Sequence, residues 1–176
     1  MPEDSPKKSM PVSWFPDNLL ESEMSLIPLR ILIAEDDPST QLIIERALEA
    51  DGYKIQIANN GSEAWDYLND EVEPPELAIL DWMMPGIDGI ELCRRIKDRK
   101  NPFVYVILLT AKTESDDIIE GLEAGAHEFL AKPFNFNVLR ARVASGARIV
   151  RLEKALKLKN SILQDYIDKL ERESMG

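Results

Sequence analysis

Between Ile31 and Ala131 the chain alternates five short apolar runs with stretches of helical period. Ile31–Ala34 is one such run, Tyr53–Ala58 alternates apolar and polar residues, and Leu77–Leu80, Phe103–Leu109 and His127–Ala131 complete the set. Runs of this length bounded by turn residues read as strands. Strands separated by helices cannot pair as hairpins. They pair in parallel through right-handed crossovers, which cover both faces of one sheet. The chain is therefore expected to fold as an α/β domain with a five-stranded parallel sheet.

The helices carry their own punctuation. Ser39 is placed to cap a first helix through Leu42, Ile43, Ala47 and Leu48 that stops at Asp51-Gly52. Asn60-Gly61 opens a second, with Ala64, Trp65 and Leu68, which must end before Pro74-Pro75. Asp88-Gly89 opens a third through Leu92, Cys93 and Ile96, and Glu114–Ala124 is a fourth closed by Gly125. A long fifth helix begins near Asn135–Asn137.

In such sheets a site forms outside the carboxyl ends of the strands. The strands end in Glu35-Asp36-Asp37, Asp81, Thr110-Ala111 and Lys132-Pro133. Several carboxylates beside one ammonium cannot all stay ionised without further positive charge. A hard dication with oxygen ligands resolves the repulsion, and Mg²⁺ fits carboxylates, waters and a phosphate. The chemistry suggested is phosphoryl transfer to a carboxylate, with Asp81 as nucleophile, Lys132 balancing charge and Thr110 donating a hydrogen bond.

Other polar residues have plainer readings. Asp37 and Asp88 suit helix capping. His127, the one histidine, suits a structural role. Cys93, the one cysteine, reads as an inert packed thiol and cannot form an internal disulfide. The net charge of −11 is concentrated in the first 139 residues, with 27 acidic and 12 basic side chains, whereas Arg140–Gly176 carries nine basic and five acidic ones. An acidic body argues against direct binding to nucleic acid. No run of 18 apolar residues suggests a transmembrane helix, and Met1–Met10 does not read as a secretory signal.

Four motifs now stand in order: Glu35-Asp36-Asp37, Leu80-Asp81-Trp82-Met83-Met84-Pro85-Gly86-Ile87-Asp88-Gly89, Thr110-Ala111, and Phe129-Leu130-Ala131-Lys132-Pro133-Phe134. Together they resemble the receiver domain of two-component response regulators, over roughly residues 29–148. The resemblance implies a flavodoxin-like (βα)5 fold with strand order 2-1-3-4-5. It implies that Asp81 is the phosphoacceptor and that Glu35, Asp36, Asp81 and the Met83 backbone carbonyl hold Mg²⁺. It assigns Thr110 and Lys132 to the phosphoryl group, Thr110 and Phe129 to a conformational switch, and a cis bond to Lys132-Pro133. Partners implied are a sensor histidine kinase or phosphotransfer protein, in the cytoplasm. Phe129 lacks the hydroxyl of a tyrosine, so the switch is expected to rest on packing. Met83 and Lys112 flank the path of an attacking water, and an apolar Met83 is expected to slow loss of the phosphate. Met83 also stands where a phosphohydrolase would place its second acid, which argues against that class. The domain itself is expected to catalyse only its own phosphoryl transfer and dephosphorylation.

Two appendages flank the domain. Residues 1–28 hold five of the eleven prolines and read as an arm, either a disordered leader or one whose aromatics dock on a surface. In residues 149–176, Ile149, Leu156, Leu163 and Leu170 recur at sevens, with Leu152 and Tyr166 at the second core position and Lys159 interrupting it. This reads as a linker helix forming a parallel dimeric coiled coil, with homodimer contacts on the receiver face as well. By resemblance, such a helix leads to an output domain expected beyond Gly176. A diguanylate cyclase is the first expectation; a phosphatase or phosphodiesterase output, or a stand-alone dimeric receiver, is the alternative.

Overall fold

Five parallel strands form one sheet in the order β2-β1-β3-β4-β5. They are β1 (Arg30–Ala34), β2 (Lys54–Ala58), β3 (Leu77–Asp81), β4 (Tyr105–Thr110) and β5 (Glu128–Ala131). Five helices connect and follow them: α1 (Pro38–Glu49), α2 (Gly61–Leu68), α3 (Gly89–Asp98), α4 (Ser115–Ala124) and α5 (Phe136–Ser174). The structure is a computed structural model and describes residues 27–99, 102–111 and 115–174. The fold class and strand order are those expected. Strand bounds moved by one or two residues, and Asp81 and Thr110 are the strand-end residues of β3 and β4, as expected.

Alternation along the strands splits the core into two layers. Leu32, Ala34, Ala78, Leu80, Val106 and Leu108 pack against α2, α3 and α4. Ile31, Ile33, Leu77, Ile79, Ile107 and Leu109 pack against α1 and α5. β1, β3 and β4 are buried on both faces, which explains why their runs read as continuously apolar, whereas the edge strand β2 alternates. The sheet register puts Asp81 beside Leu109 and Thr110 beside Ala131, so the site residues meet at one edge.

At the start of α1 the two capping readings, Asp37 and Ser39, resolve in favour of Asp37. α1 is capped by Asp37, whose carboxylate accepts the Thr40 N–H at 2.9 Å, and not by Ser39. Pro38 explains the shift, because it lacks an N–H and occupies the first helical turn, so the cap must precede it. Asn60 and Asp88 cap α2 and α3 as expected, accepting the N–H groups of Glu63 and Glu91. The Cys93 thiol is buried and pushed up to about 12, which makes it inert.

Gly89 fixes how α3 meets the site strand. Its N–H donates to the Trp82 carbonyl at 3.0 Å, and a Cβ there would fall on the Asp81 carbonyl. Backbone cannot move aside as a flexible side chain can. Gly89→Ala is expected to cost about 2–3 kcal/mol, measured by urea denaturation. A change within about 0.5 kcal/mol would mean α3 is not held against β3 in this way.

α5 has 39 residues, about 60 Å of helix. Leu139, Val143, Gly146, Ala147, Val150 and Ala155 are buried, and no described residue after Ala155 is. Ile149, Leu152, Leu156, Leu163, Tyr166 and Leu170 stand exposed on it. The arm's residues 1–26 and Lys112 lie outside the described residues.

Candidate functional site

The loops after β1, β3, β4 and β5 converge where the strand ends do. Glu35 follows β1 and is 1% exposed, Asp81 closes β3 at 6%, and Thr110 closes β4 fully buried. Asp36 is exposed at the rim. Carboxylate oxygens of Glu35, Asp36 and Asp81 all lie within 4.8 Å of one another. Lys132, after β5, reaches across the cluster. Its Nζ donates to Glu35 Oε2 at 2.7 Å and stands 3.1 Å from Asp81 Oδ2. The Lys132 N–H also donates to the Thr110 carbonyl at 2.6 Å, which ties the lysine loop to the end of β4. The Lys132-Pro133 bond is cis.

The electrostatics are lopsided. Three carboxylates face one ammonium. Burial raises the Glu35 carboxyl, with Asp81 adding to the effect, while the hydrogen bond from Lys132 opposes it. Burial lowers Lys132, but its hydrogen bond to Glu35 and the field of Asp81 outweigh that and raise it. So the cluster holds more negative charge than its lysine balances. An all-oxygen donor set of this kind fits a hard dication such as Mg²⁺.

Around the cluster, the Met83 N–H makes a long contact of 3.4 Å with Asp81 Oδ1, while the Met83 side chain is 63% exposed at the mouth. Phe129 is half-buried on β5. Its ring meets Trp82, the neighbour of Asp81, edge-on at 6.3 Å. It also packs toward Gly121 of α4, where a Cβ would lie 3.5 Å from the ring. Phe129 thus links the site strand to α4.

Two polar residues escaped sequence reasoning. Gln41, 8% exposed on α1, donates through Nε2 to the Glu35 carbonyl and to Asn59 Oδ1 at 3.1 Å. It pins the turn that aims Glu35. Its signal was its place one helical turn after Asp37. Glu76, 5% exposed, lies at the opposite edge of the sheet and pairs with Arg30 at 3.4 Å and with Lys154 of α5. Only its position just before the apolar run of β3 could have suggested it.

His127 plays a structural part. Its Nδ1 accepts the Val106 N–H at 3.1 Å, and its ring stacks on Tyr105 at 4.7 Å and meets Phe103 edge-on at 5.3 Å. Burial lowers its pKa below 6.5. A base with a depressed folded pKa contributes stability above the unfolded value, lost as pH falls from about 6.5 through the folded pKa. The His127 ring protons are expected to titrate with a midpoint below 6.5 by NMR, and a midpoint at or above it would contradict the hydrogen bond.

The chain's similarities agree with this geometry. The family described as the response regulator receiver domain matches residues 31–144. The response regulator RppA of Synechocystis is 39% identical over 115 residues, which cover 65% of this chain and 49% of that one. The phosphate regulon transcriptional regulatory protein PhoB of Rhizobium meliloti is 37% identical over 70% of this chain and 54% of its own. PhoB of Pseudomonas aeruginosa is 42% identical over 67% and 51%. This chain spans about half the length of these relatives. Among solved structures, the receiver domain of Francisella response regulator 1452 superposes with a TM-score of 0.63 at 29% identity, covering 72% of this chain and 98% of that one. The BeF3-activated DrrB receiver domain does so with 0.62 at 33%, covering 69% and 99%.

Proposed function

The chain belongs to the response regulator receiver domain family, and from that premise we propose that it is a switch driven by phosphorylation of Asp81. The single observation that carries this is the placement of Lys132 Nζ between Glu35 and Asp81, beside Asp36, at the C-terminal edge of the sheet. An Asp81 oxygen attacks the phosphorus of a phosphohistidine on a sensor kinase or phosphotransfer protein. The P–N bond breaks, its electron pair returns to the imidazole, and an acyl phosphate forms. Lys132 then balances charge on a phosphoryl oxygen, and Thr110 donates a hydrogen bond to another. Glu35, Asp36, Asp81 and the Met83 carbonyl would hold Mg²⁺, which supplies charge neutralisation at the phosphoryl oxygens.

The response spreads through Thr110 and Phe129. Because Phe129 touches both Trp82 and α4, a shift of Thr110 toward the phosphoryl group lets the ring move inward and reshapes the α4–β5–α5 surface. Two copies then associate through that surface and the heptad stripe of α5, which passes the change to an output domain. The long helix supports a helical relay. A diguanylate cyclase output rests on that linker alone, and the named PhoB relatives are transcriptional regulators. The domain itself acts as a regulator in the cytoplasm, not as an enzyme with an external substrate. Among the described residues no helix is long and apolar enough to cross a membrane. The net charge of −11 supports protein partners over direct nucleic-acid contact.

Incubation with Mg²⁺ and acetyl phosphate tests this reading. Intact mass should show one phosphoryl group per chain, and fluoroberyllate with Mg²⁺ should bind with the same stoichiometry. Continuous turnover of acetyl phosphate without an accumulated adduct would make the protein a hydrolase. Neither adduct nor turnover would make it an inert module.

A further inference from the structure

We infer that residues 14–26 of this chain dock along one side of α5, on the stripe formed by Arg151, Lys154, Leu158 and Ile162. The described chain begins at Ile27, which lines a small cleft with Leu29, Glu76, Arg151 and Lys154. The segment before Ile27 therefore starts beside α5, at the last turns that α5 packs on its own domain. Eleven residues reach about 16 Å as helix and up to about 36 Å extended, so residues 16–26 can lie against the exposed half of α5.

The surface there has a feature the heptad stripe does not use. Leu158 and Ile162 are each 43% exposed, yet neither sits at a core position of the series Ile149, Leu152, Leu156, Leu163, Tyr166, Leu170. They follow Arg151 and Lys154 at helical spacing, so all four share one side of the helix. A two-stranded coil would leave that side uncovered. Arg151 contributes a second sign: its Nε is buried without a hydrogen-bond partner among the described residues. A buried donor of this kind calls for an acceptor.

The arm has the matching chemistry. Trp14 to Leu26 carries Asp17, Glu21 and Glu23 and no basic residue, whereas Arg148 to Lys159 carries five basic residues and one acidic. Leu20, Met24 and Ile27 fall at i, i+4 and i+7, one apolar face of a helix with Leu19 adjacent, and Glu21 and Glu23 flank it. Docked, this face covers Leu158 and Ile162, and a flanking carboxylate meets Arg151. The arm so placed leaves the heptad stripe open for a second copy and braces α5 where it leaves the domain.

Crosslinking in the full chain tests this. Leu20→Cys is paired in one variant with Leu158→Cys and in another with Asn160→Cys, which lies nearly opposite on the helix. The native thiol, Cys93, is buried and does not compete. Mild oxidation should form an intrachain disulfide with position 158 much faster than with position 160. Adding Arg151→Glu should slow that reaction about two- to fivefold at low salt. Equal rates at the two positions, or no crosslink at either, would overturn the docking. A product of two-chain mass would also overturn it, by placing the arm on a second copy.

Discussion

Asp81→Asn is expected to abolish the phosphoryl adduct and, at the same time, to stabilise the protein. The first effect follows from chemistry. An amide offers no anionic oxygen for attack on phosphorus, and no other carboxylate of the cluster replaces Asp81. Glu35 is buried behind Lys132, and Asp36 faces solvent at the rim. The second effect follows from charge. The substitution removes one of three carboxylates within 4.8 Å and leaves Lys132 to Glu35 alone. Relief of that crowding should raise the Mg²⁺-free melting temperature by about 2–4 °C, and added Mg²⁺ should raise it less than in the parent. Intact mass after acetyl phosphate and a melting series in Mg²⁺ are the two readings. An adduct at parental stoichiometry would move the acceptor elsewhere. A lower melting temperature would mean that Lys132 already balances the cluster.

That prediction was legible in the sequence because strand ends are. Apolar runs fix the strands, parallel pairing aligns their carboxyl ends, and the residues just beyond them must meet. Glu35, Asp81, Thr110 and Lys132 are read this way, and so are the caps Asn60 and Asp88. Ser39 misled because Ser is a strong cap former, but Pro38 forces the cap two residues earlier, onto Asp37, which had also read as a capping acid. Gln41 and Glu76 were hidden for another reason. Their side-chain partners are 18 and 46 residues away for the pairs Gln41–Asn59 and Glu76–Arg30, so their only local marks are their places, one turn after Asp37 and just before the apolar run of β3. The heptads of α5 show a helix that needs covering. Leu158 and Ile162 lie off that stripe, and only the folded arrangement brings Ile27 beside Arg151 and Lys154.

Lys132→Met tests the same cluster from the opposite side. Its Nζ is the cation between Glu35, 1% exposed, and Asp81, 8% exposed as a side chain. Removing one member of a buried charge pair leaves the other uncompensated, at a cost of about 3–5 kcal/mol. Lys132 is 25% exposed, so water recovers part of that. We expect a loss of about 2–3 kcal/mol in Mg²⁺-free buffer. The sign with pH is specific. Burial already raises Glu35 above its usual 4.5, and without Lys132 its charged form is disfavoured further. A raised carboxyl costs stability as pH rises through its folded value, so the variant should lose least near the ordinary carboxylate range and most at neutral pH. Mg²⁺ should return much of the loss, because a dication bound to Glu35, Asp36 and Asp81 does the electrostatic work of the missing ammonium. Phosphoryl uptake should still be impaired in Mg²⁺, since no group then balances the oxygen that Lys132 faces. Urea melts with and without Mg²⁺ at two pH values would resolve all of this. If the loss were independent of both pH and Mg²⁺, Lys132 would be holding the β5 loop by packing and its N–H bond to Thr110, and the charge argument for the site would fail.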